Sequence, residues 1–362
     1  MQIEAPTAAL LRIDLDALAQ NYRLLRDRAA PAECAAVVKA DAYGLGTVPV
    51  ARRLLREGCR KFFVATLAEV AELRALAPDV AIYVLEGAVL AAVDELAALR
   101  ATPVLSSLEQ IERWRGHGHA LLHIDTGMTR LGLSAEDVRV LAGRGDLLQG
   151  IEIEYVITHL ACADEPDHPQ NRAQLKLFDE LRRLLPAAQT SIGNSAATFI
   201  DAPHRGDLVR PGVALYGGNP FVDLPNPMAS VVTFLAPILQ IREIADAMPV
   251  GYGATYVAQP PARLAVVGAG YADGYPRSLG NRATAAVHGL RVPVIGRVSM
   301  DLICVDISAL PRDTVRVGDF AELIGPTVGL DEVAAAAGTI SYEILTGLGR
   351  RLVRQYVEHQ KT

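Results

Sequence analysis

The chain has 362 residues, 51% hydrophobic and 21% charged, with a formal net charge of −6. That balance excludes a disordered chain, and it gives no electrostatic reason to expect nucleic acid or an acidic membrane as a partner. The length allows a large core and suggests two domains. The four cysteines, Cys34, Cys59, Cys162 and Cys304, are widely spaced and form no CxxC pair. This argues against a zinc site or disulfide framework and for a reducing, cytoplasmic compartment. The first residues, MQIEAPTAALL, lack a basic region followed by a long apolar core, so no signal peptide is expected. No apolar run approaches the ~18 residues that a membrane span needs.

In chain order, Asp14 is placed to cap a first helix whose apolar residues Leu15, Leu18, Tyr22 and Leu25 share one face. Eight short apolar runs follow, ending near Lys39, Ala65, Leu85, Leu105, Ile124, Ile157, Ile192 and Val209. Helical patterns separate most of them; one spans Gln170 to Leu185, with Leu175, Phe178, Leu181 and Leu185 on a stripe. Eight strand–helix units predict an α/β fold, a (β/α)8 TIM-like barrel. A doubly wound open sheet is the alternative, but no GxGxxG follows the first run. After about residue 230 the texture becomes β-rich: Val231–Ile241, Leu264–Val267, Ala283–Val287, Val292–Ile295, Leu302–Ile307 and Phe320–Ile324. His288–Arg291 reads as a hairpin connection. The expected division is a barrel over residues 11–229 and a mostly-β domain from residues 1–10 plus 230–362, with the join in the Pro-, Asn- and Gly-rich stretch Gly217–Ser230.

If the barrel forms, polar residues gather at the C-terminal ends of its strands, where barrel active sites lie. Lys39 ends the first run, in AAVVKADAYGLG. A lysine there either snorkels to water or is desolvated, and a desolvated lysine has a lowered pKa that suits it to Schiff-base chemistry. His123, Asp125 and Arg130 follow the fifth run, Thr158 and His159 end the sixth, Asn194 and Ser195 follow the seventh, and Arg210 with Gly212 follows the eighth.

The stretch VVKADAYGLG resembles the cofactor-lysine signature of alanine racemases, which use pyridoxal 5′-phosphate, and the resemblance runs almost the full length through motifs in the family's order. It implies interconversion of L- and D-alanine by two bases, supplying D-alanine for peptidoglycan. Lys39 would hold the cofactor and serve one face of the substrate Cα. Tyr252, in GYGATY, would be the second base. A tyrosine with its ordinary pKa near ~10 is a poor base at neutral pH, and the family supplies a cationic neighbourhood through His159 linked to Arg210. The resemblance further implies a phosphate cradle of Tyr43, Asn194–Ser195, Gly212–Val213 and Tyr342, with Arg210 beside the pyridine nitrogen. Arginine stays protonated, which keeps that nitrogen unprotonated and makes the cofactor a weaker electron sink. Arg130 would pair the substrate carboxylate; Tyr271, in GYADGYPR, would be an entryway tyrosine, and Met300 and Asp301, in GRVSMDL, would lie near that carboxylate from the partner subunit. The second domain of one subunit reaches into the barrel mouth of the other in this family, so an obligate head-to-tail homodimer is expected, with no metal.

Read alone, several of these motifs have plainer meanings: NSAA is a helix cap, RPG a turn, Tyr252 an ordinary β-domain tyrosine, Asp301 a structural carboxylate. A racemase for serine or a broader range of amino acids, and a non-catalytic pyridoxal phosphate carrier, are the alternatives. One departure stands out. The residue seven before the carboxylate-binding arginine is commonly a carbamate-modified lysine in the family, and here it is His123. Histidine cannot carry that anionic group. Either neutral His123 hydrogen-bonds Arg130, or a small anion such as chloride sits near His123 and Arg130.

Overall fold

Asp14 closes a short strand and opens a helix. In the computed structural model, which describes residues 8–358, β1 (Leu10–Asp14) runs directly into the helix Leu15–Ala29. Asp14 Oδ1 accepts the backbone amides of Asp16 and Ala17 at 2.9 and 2.8 Å, satisfying donors that a helix start leaves unpaired. Leu15, Leu18, Tyr22 and Leu25 are all buried, so the expected stripe is the packed one. The first seven residues, assigned from the sequence to the β domain, lie outside the described residues.

The parallel strands come next. β2 (Glu33–Cys34) and β3 (Ala36–Val37) are two pieces of one strand position. They are followed by β4 (Lys61–Val64), β5 (Ala81–Val84), β6 (Thr102–Leu105), β7 (Gly118–His123), β8 (Ile151–Ile157), β9 (Gln189–Ser191) and β10 (Leu208–Val209). β3 to β9 pair as parallel neighbours in chain order, and β10 pairs in parallel with β2. Ala35 N donates to Val209 O and Val37 N to Pro211 O at 3.0 Å each, which returns the last strand to the first. The result is a curled parallel sheet, the N-terminal (β/α)8-type barrel. Its strands are continuous buried runs such as Phe62–Phe63–Val64 and Leu121–Leu122, as sheets covered on both faces require. A helix crosses back after most strands; between β9 and β10 the chain makes only the 3-10 turns Ala197–Phe199 and Ala202–His204. This unit comprises Ala19–Leu215 and Asn219–Pro227.

The other unit takes the described residues up to Leu18, Tyr216–Gly218, and the chain from Met228 onward. Its spine is β11 (Val232–Ile244), which pairs antiparallel with β1, Phe320–Ile324 and Ala262–Val267. The further strands Ile303–Asp306, Leu290–Ile295 and Thr284–Val287 complete a closed antiparallel β barrel, because Ala262–Val267 also pairs with β11. The hairpin read at 288–291 turns on His288 and Gly289, both with positive φ, the geometry of a type I′ turn. β1 straddles the boundary expected between residues 10 and 11, with Leu11–Asp14 on the parallel-barrel side, but the whole strand belongs here: it pairs with β11 on one side and Val353–Val357 on the other. A strand feeding straight into a helix carries no local mark of its partner, so its membership was not readable from the sequence.

Candidate active site

Lys39 sits at the end of β3, and the backbone changes hand immediately after it. Ala40, Asp41, Ala42 and Tyr43 have φ values of 54°, 54°, 50° and 58°, one turn of left-handed helix. Each non-glycine residue in that conformation costs roughly 1–2 kcal/mol. Side chains and backbone hold the turn in place. Ala42 N donates to Val38 O at 2.9 Å and Gly46 N to Asp41 O at 2.9 Å. Asp41 Oδ1 takes Thr47 N at 2.7 Å, and Glu69 Oε1 takes Ala40 N at 2.7 Å. Ala42 and Tyr43 are buried. Strain of this size persists where surrounding structure over-determines it, typically at functional sites. Burial and the nearby Arg130 lower the Lys39 pKa, while Glu69 opposes them.

Arg210, at the end of β10, is 6% exposed. Among the described residues its hydrogen-bond acceptors are neutral: Ser191 Oγ at 2.5 Å, Thr158 O at 2.7 Å, Ile192 O at 3.4 Å and His159 Nδ1 at 3.4 Å. Its guanidinium also lies over the Phe63 ring at 5.8 Å. A buried cation is expensive without a countercharge, and burial pushes its pKa down to about 10. His159 is kept neutral, first by burial, then by Arg210, Arg130, His123 and Lys39 in that order. Those groups come from the first, fifth and last strand positions, so His159 marks where they converge. The sequence reading made His159 part of a cationic neighbourhood; the permanent positive charge there is Arg210's, and neutral His159 accepts from it.

The remaining barrel residues are fixed by their own contacts. Ser195 Oγ is buried and accepts the amides of Gly212 and Ala214 at 2.9 and 3.3 Å. Asn194 Oδ1 accepts Ala197 N at 3.0 Å, a cap on the following 3-10 turn. A β-carbon at Gly212 would overlap the Tyr43 hydroxyl, so the left-handed turn and the Arg210–Val213 loop meet there. Asp125 Oδ1 gathers the amides of Gly127, Met128 and Thr129 at 2.9, 3.0 and 3.1 Å, fixing the loop that carries exposed Arg130. His123 lies at the end of β7 with its Nδ1 3.5 Å from Ser106 Oγ. Burial and Arg210, with Arg130 adding and Asp125 opposing, push its pKa down to about 4.

The other predicted residues belong to the antiparallel unit. Tyr252 is 71% exposed, on a short turn between Gly251 and Gly253, both with positive φ. Tyr271 and Met300 are also exposed, Met300 by 52%. Their motifs are joined: Tyr271 N donates to Ser299 O at 3.1 Å and Ala272 N to Met300 O at 3.0 Å. Arg351 ties the pair together, donating to Asp301 at 2.7 Å and to buried Asp273 at 3.1 Å. Tyr342 lies on the helix Ser341–Gly347 and is partly exposed.

Two family models cover nearly all of the chain: residues 13–220 match the one described as "Alanine racemase, N-terminal domain", and residues 231–356 match "Alanine racemase, C-terminal domain". The chain belongs to the alanine racemase family. It is 48% identical over 356 residues to the "Alanine racemase, catabolic" of Agrobacterium fabrum, covering 96% of this chain and 92% of that one. Among solved structures, it is similar to an alanine racemase from Bartonella henselae with covalently bound pyridoxal phosphate: TM-score 0.93, 39% identity, 97% of this chain and 100% of that one. The biosynthetic alanine racemase of Pseudomonas aeruginosa gives a TM-score of 0.91 at 38% identity, with 98% and 100% covered.

The residues present suit the cofactor of the racemase family. Pyridoxal phosphate is an anionic aldehyde with a ring nitrogen, and this barrel end offers a partly desolvated amine, a buried guanidinium with neutral neighbours, and the hydroxyls of Tyr43 and Ser195 beside the Gly212–Val213 backbone. Sequence reasoning missed several supports. Gln174, buried on the helix Pro169–Arg182, donates to Thr126 Oγ1 at 3.1 Å and His159 O at 2.9 Å. Ser191 and Thr158 hold Arg210. Glu69 holds Ala40; its T-x-x-E spacing from Thr66 is the signature of a capping box and the one signal in the sequence that could have pointed to it.

Proposed function

We infer that this protein is a pyridoxal phosphate-dependent isomerase that interconverts L- and D-alanine. The single structural feature carrying the reading is the convergence of Lys39, Arg130 and Arg210 around neutral His159 at one end of the barrel. An amino acid brings a carboxylate there and the cofactor a phosphate, and both groups are anionic. When bound, the cofactor supplies a carbonyl for covalent attachment to an amine and a conjugated ring that spreads the negative charge left at Cα.

The chain's residues then have defined tasks. Lys39 has a lowered pKa, so more of its amine is neutral at a given pH, and a neutral amine can attack a carbonyl or take a proton. Arg210 donates and never accepts, so a ring nitrogen facing it stays unprotonated. Tyr43, Tyr342, Asn194–Ser195 and Gly212–Val213 would hold the phosphate through hydroxyls and amides. Arg130 would orient the alanine carboxylate. Removing a proton from one face of Cα and returning it to the other needs two bases; Tyr252 is the second, delivered by another copy of the chain in a homodimer, with Tyr271, Met300 and Asp301 beside it. The exposure of Tyr252, Tyr271 and Met300 is compatible with that assembly, because it leaves their side chains accessible to another copy of the chain. A small anion such as chloride beside His123 and Arg130 replaces the family's carbamate. The four free thiols stay reduced in a cytoplasmic setting, and among the described residues no helix is long and apolar enough to cross a membrane.

The test is direct. Purified protein with the cofactor should abolish the optical rotation of L-alanine and of D-alanine alike. Borohydride reduction followed by peptide mapping should leave the label on Lys39. Cofactor binding without loss of rotation would make the protein a carrier, and a label on another lysine would overturn the assignment of Lys39.

A further inference from the structure

Glu69 lies on the helix Leu67–Leu76, which follows β4. As third residue of a capping box, it has its amide bonded to Thr66 Oγ1 at 3.4 Å, while its Oε2 accepts Thr66 N at 3.2 Å and Ala65 N at 2.6 Å. A capping box asks no more than this, and glutamine would serve as well as glutamate. The second oxygen does something else. Oε1 reaches across 29 residues of sequence to accept Ala40 N at 2.7 Å, the first amide of the left-handed turn and the one directly after Lys39. Both carboxylate oxygens therefore face N–H donors. Only an ionised carboxylate satisfies donors on both sides; an amide would turn its NH2 toward one of them. The bond to Ala40 is charge-assisted and stronger than a neutral one.

We propose that Glu69 is a positioning residue for the catalytic lysine: its carboxylate fixes the left-handed turn beginning at Lys39 and places a negative charge beside that amine. The inference rests on the reading of Lys39 as the cofactor lysine. The charge environment agrees with it. Lys39 senses Arg130 as well as Glu69, His159 in turn senses Lys39, and Glu72 has both Glu69 and Asp41 as acidic neighbours. Glu69 is the carboxylate that opposes, without cancelling, the effects of burial and Arg130 on Lys39.

The experiment uses the full-length, cofactor-loaded protein and two readouts: amide-resolved hydrogen exchange, and the pH at which the visible absorbance of the bound cofactor changes. Glu69→Gln keeps an acceptor for the helix cap but turns a donor toward Ala40. Exchange at Ala40 should quicken about tenfold, the size expected for losing one charge-assisted hydrogen bond. The absorbance midpoint should move by about half a pH unit toward acid, because a cationic nitrogen loses a nearby negative charge. Thr66→Ala weakens the same helix cap but leaves the carboxylate in place, so it should change neither readout. If Glu69→Gln fails to fold, Glu69→Asp decides: the shorter side chain should quicken Ala40 exchange and leave the midpoint at its original pH. Wild-type exchange at Ala40 in the folded variant overturns the proposal. So does faster exchange with an unmoved midpoint in Glu69→Gln, which would make the role merely structural, or the same changes in Thr66→Ala. If borohydride labelling misses Lys39 in the unmodified protein, the reading of that lysine fails instead, whatever Glu69→Gln does.

Discussion

Tyr43 can stand where it does because Gly212 has no side chain. A β-carbon at Gly212 would overlap the Tyr43 hydroxyl, with the ring carbon bearing it only 3.0 Å away. Gly212→Ala should therefore push Tyr43 out of the proposed phosphate cradle. Overpacking of this kind costs roughly 1–3 kcal/mol, and cofactor affinity should fall about tenfold or more if the hydroxyl is a phosphate donor. Adding Tyr43→Phe removes the nearest clashing atom, so the double variant should regain stability in urea unfolding but not affinity in a cofactor titration. Recovery of both would mean that the hydroxyl does not hold the cofactor. His123 poses a different residue-level question. With its pKa pushed down to about 4, it is neutral at physiological pH and cannot replace an anionic carbamate beside Arg130. The anion reading predicts that activity rises with chloride in the low millimolar range at constant ionic strength, and less with a larger anion. His123→Lys should abolish the dependence if the new lysine becomes carbamylated. Activity that stays flat with chloride would leave a neutral hydrogen bond from Arg130 as the whole function of His123.

The element that distinguishes this site is the turn Ala40–Tyr43, and its handedness gives a prediction by sign. In a right-handed helix, Ala→Gly costs about 1 kcal/mol. In a left-handed turn the substitution removes roughly 1–2 kcal/mol of steric strain, against an entropic loss of about 0.4–1 kcal/mol in the unfolded chain. Exposed Ala40, with φ of 54°, should thus tolerate glycine with a gain of about 0.5 kcal/mol in urea unfolding; a loss near 1 kcal/mol would contradict the left-handed backbone. This turn also shows where sequence reading stops. The strand ends were legible because apolar runs stop abruptly, and Lys39, His159 and Arg210 lie at or just beyond the ends of observed strands. The hand of the turn was not legible: alanine is the best right-handed helix former, so K-A-D-A-Y argues locally for the wrong hand. The bonds that hold the left-handed turn include a long-range one, from Ala40 N to Glu69, and a local one, from Thr47 N to Asp41, neither marked in the sequence. The same limit hid Gln174 and Ser191, whose roles arise from what packs against them, and it hid the partners of β1.

For the whole molecule, the proposed chemistry divides between the two units. Lys39, Tyr43, Arg130, His159, Asn194, Ser195, Arg210, Gly212 and Val213 belong to the parallel barrel, whereas Tyr252, Tyr271, Met300, Asp301 and Tyr342 belong to the antiparallel one. In the antiparallel unit, Tyr252 is mounted for delivery: it projects from a glycine-flanked turn, with the Arg297 guanidinium packed against Gly253. Arg351 meanwhile locks the neighbouring Tyr271 and Met300 motifs through Asp273 and Asp301. An exposed side chain presented in this way suits a group that works on another copy of the chain. If it does, Lys39→Ala and Tyr252→Ala homodimers should both be inactive, because every site lacks one base. A mixed dimer of the two variants contains one site with both native residues and one site with neither. Co-expression with two different affinity tags, followed by tandem purification, should therefore yield heterodimers with about half the activity per dimer of the unmodified protein, since its two sites are reduced to one. Inactive heterodimers, shown to be mixed by mass spectrometry and to bind cofactor, would place both bases in a single chain.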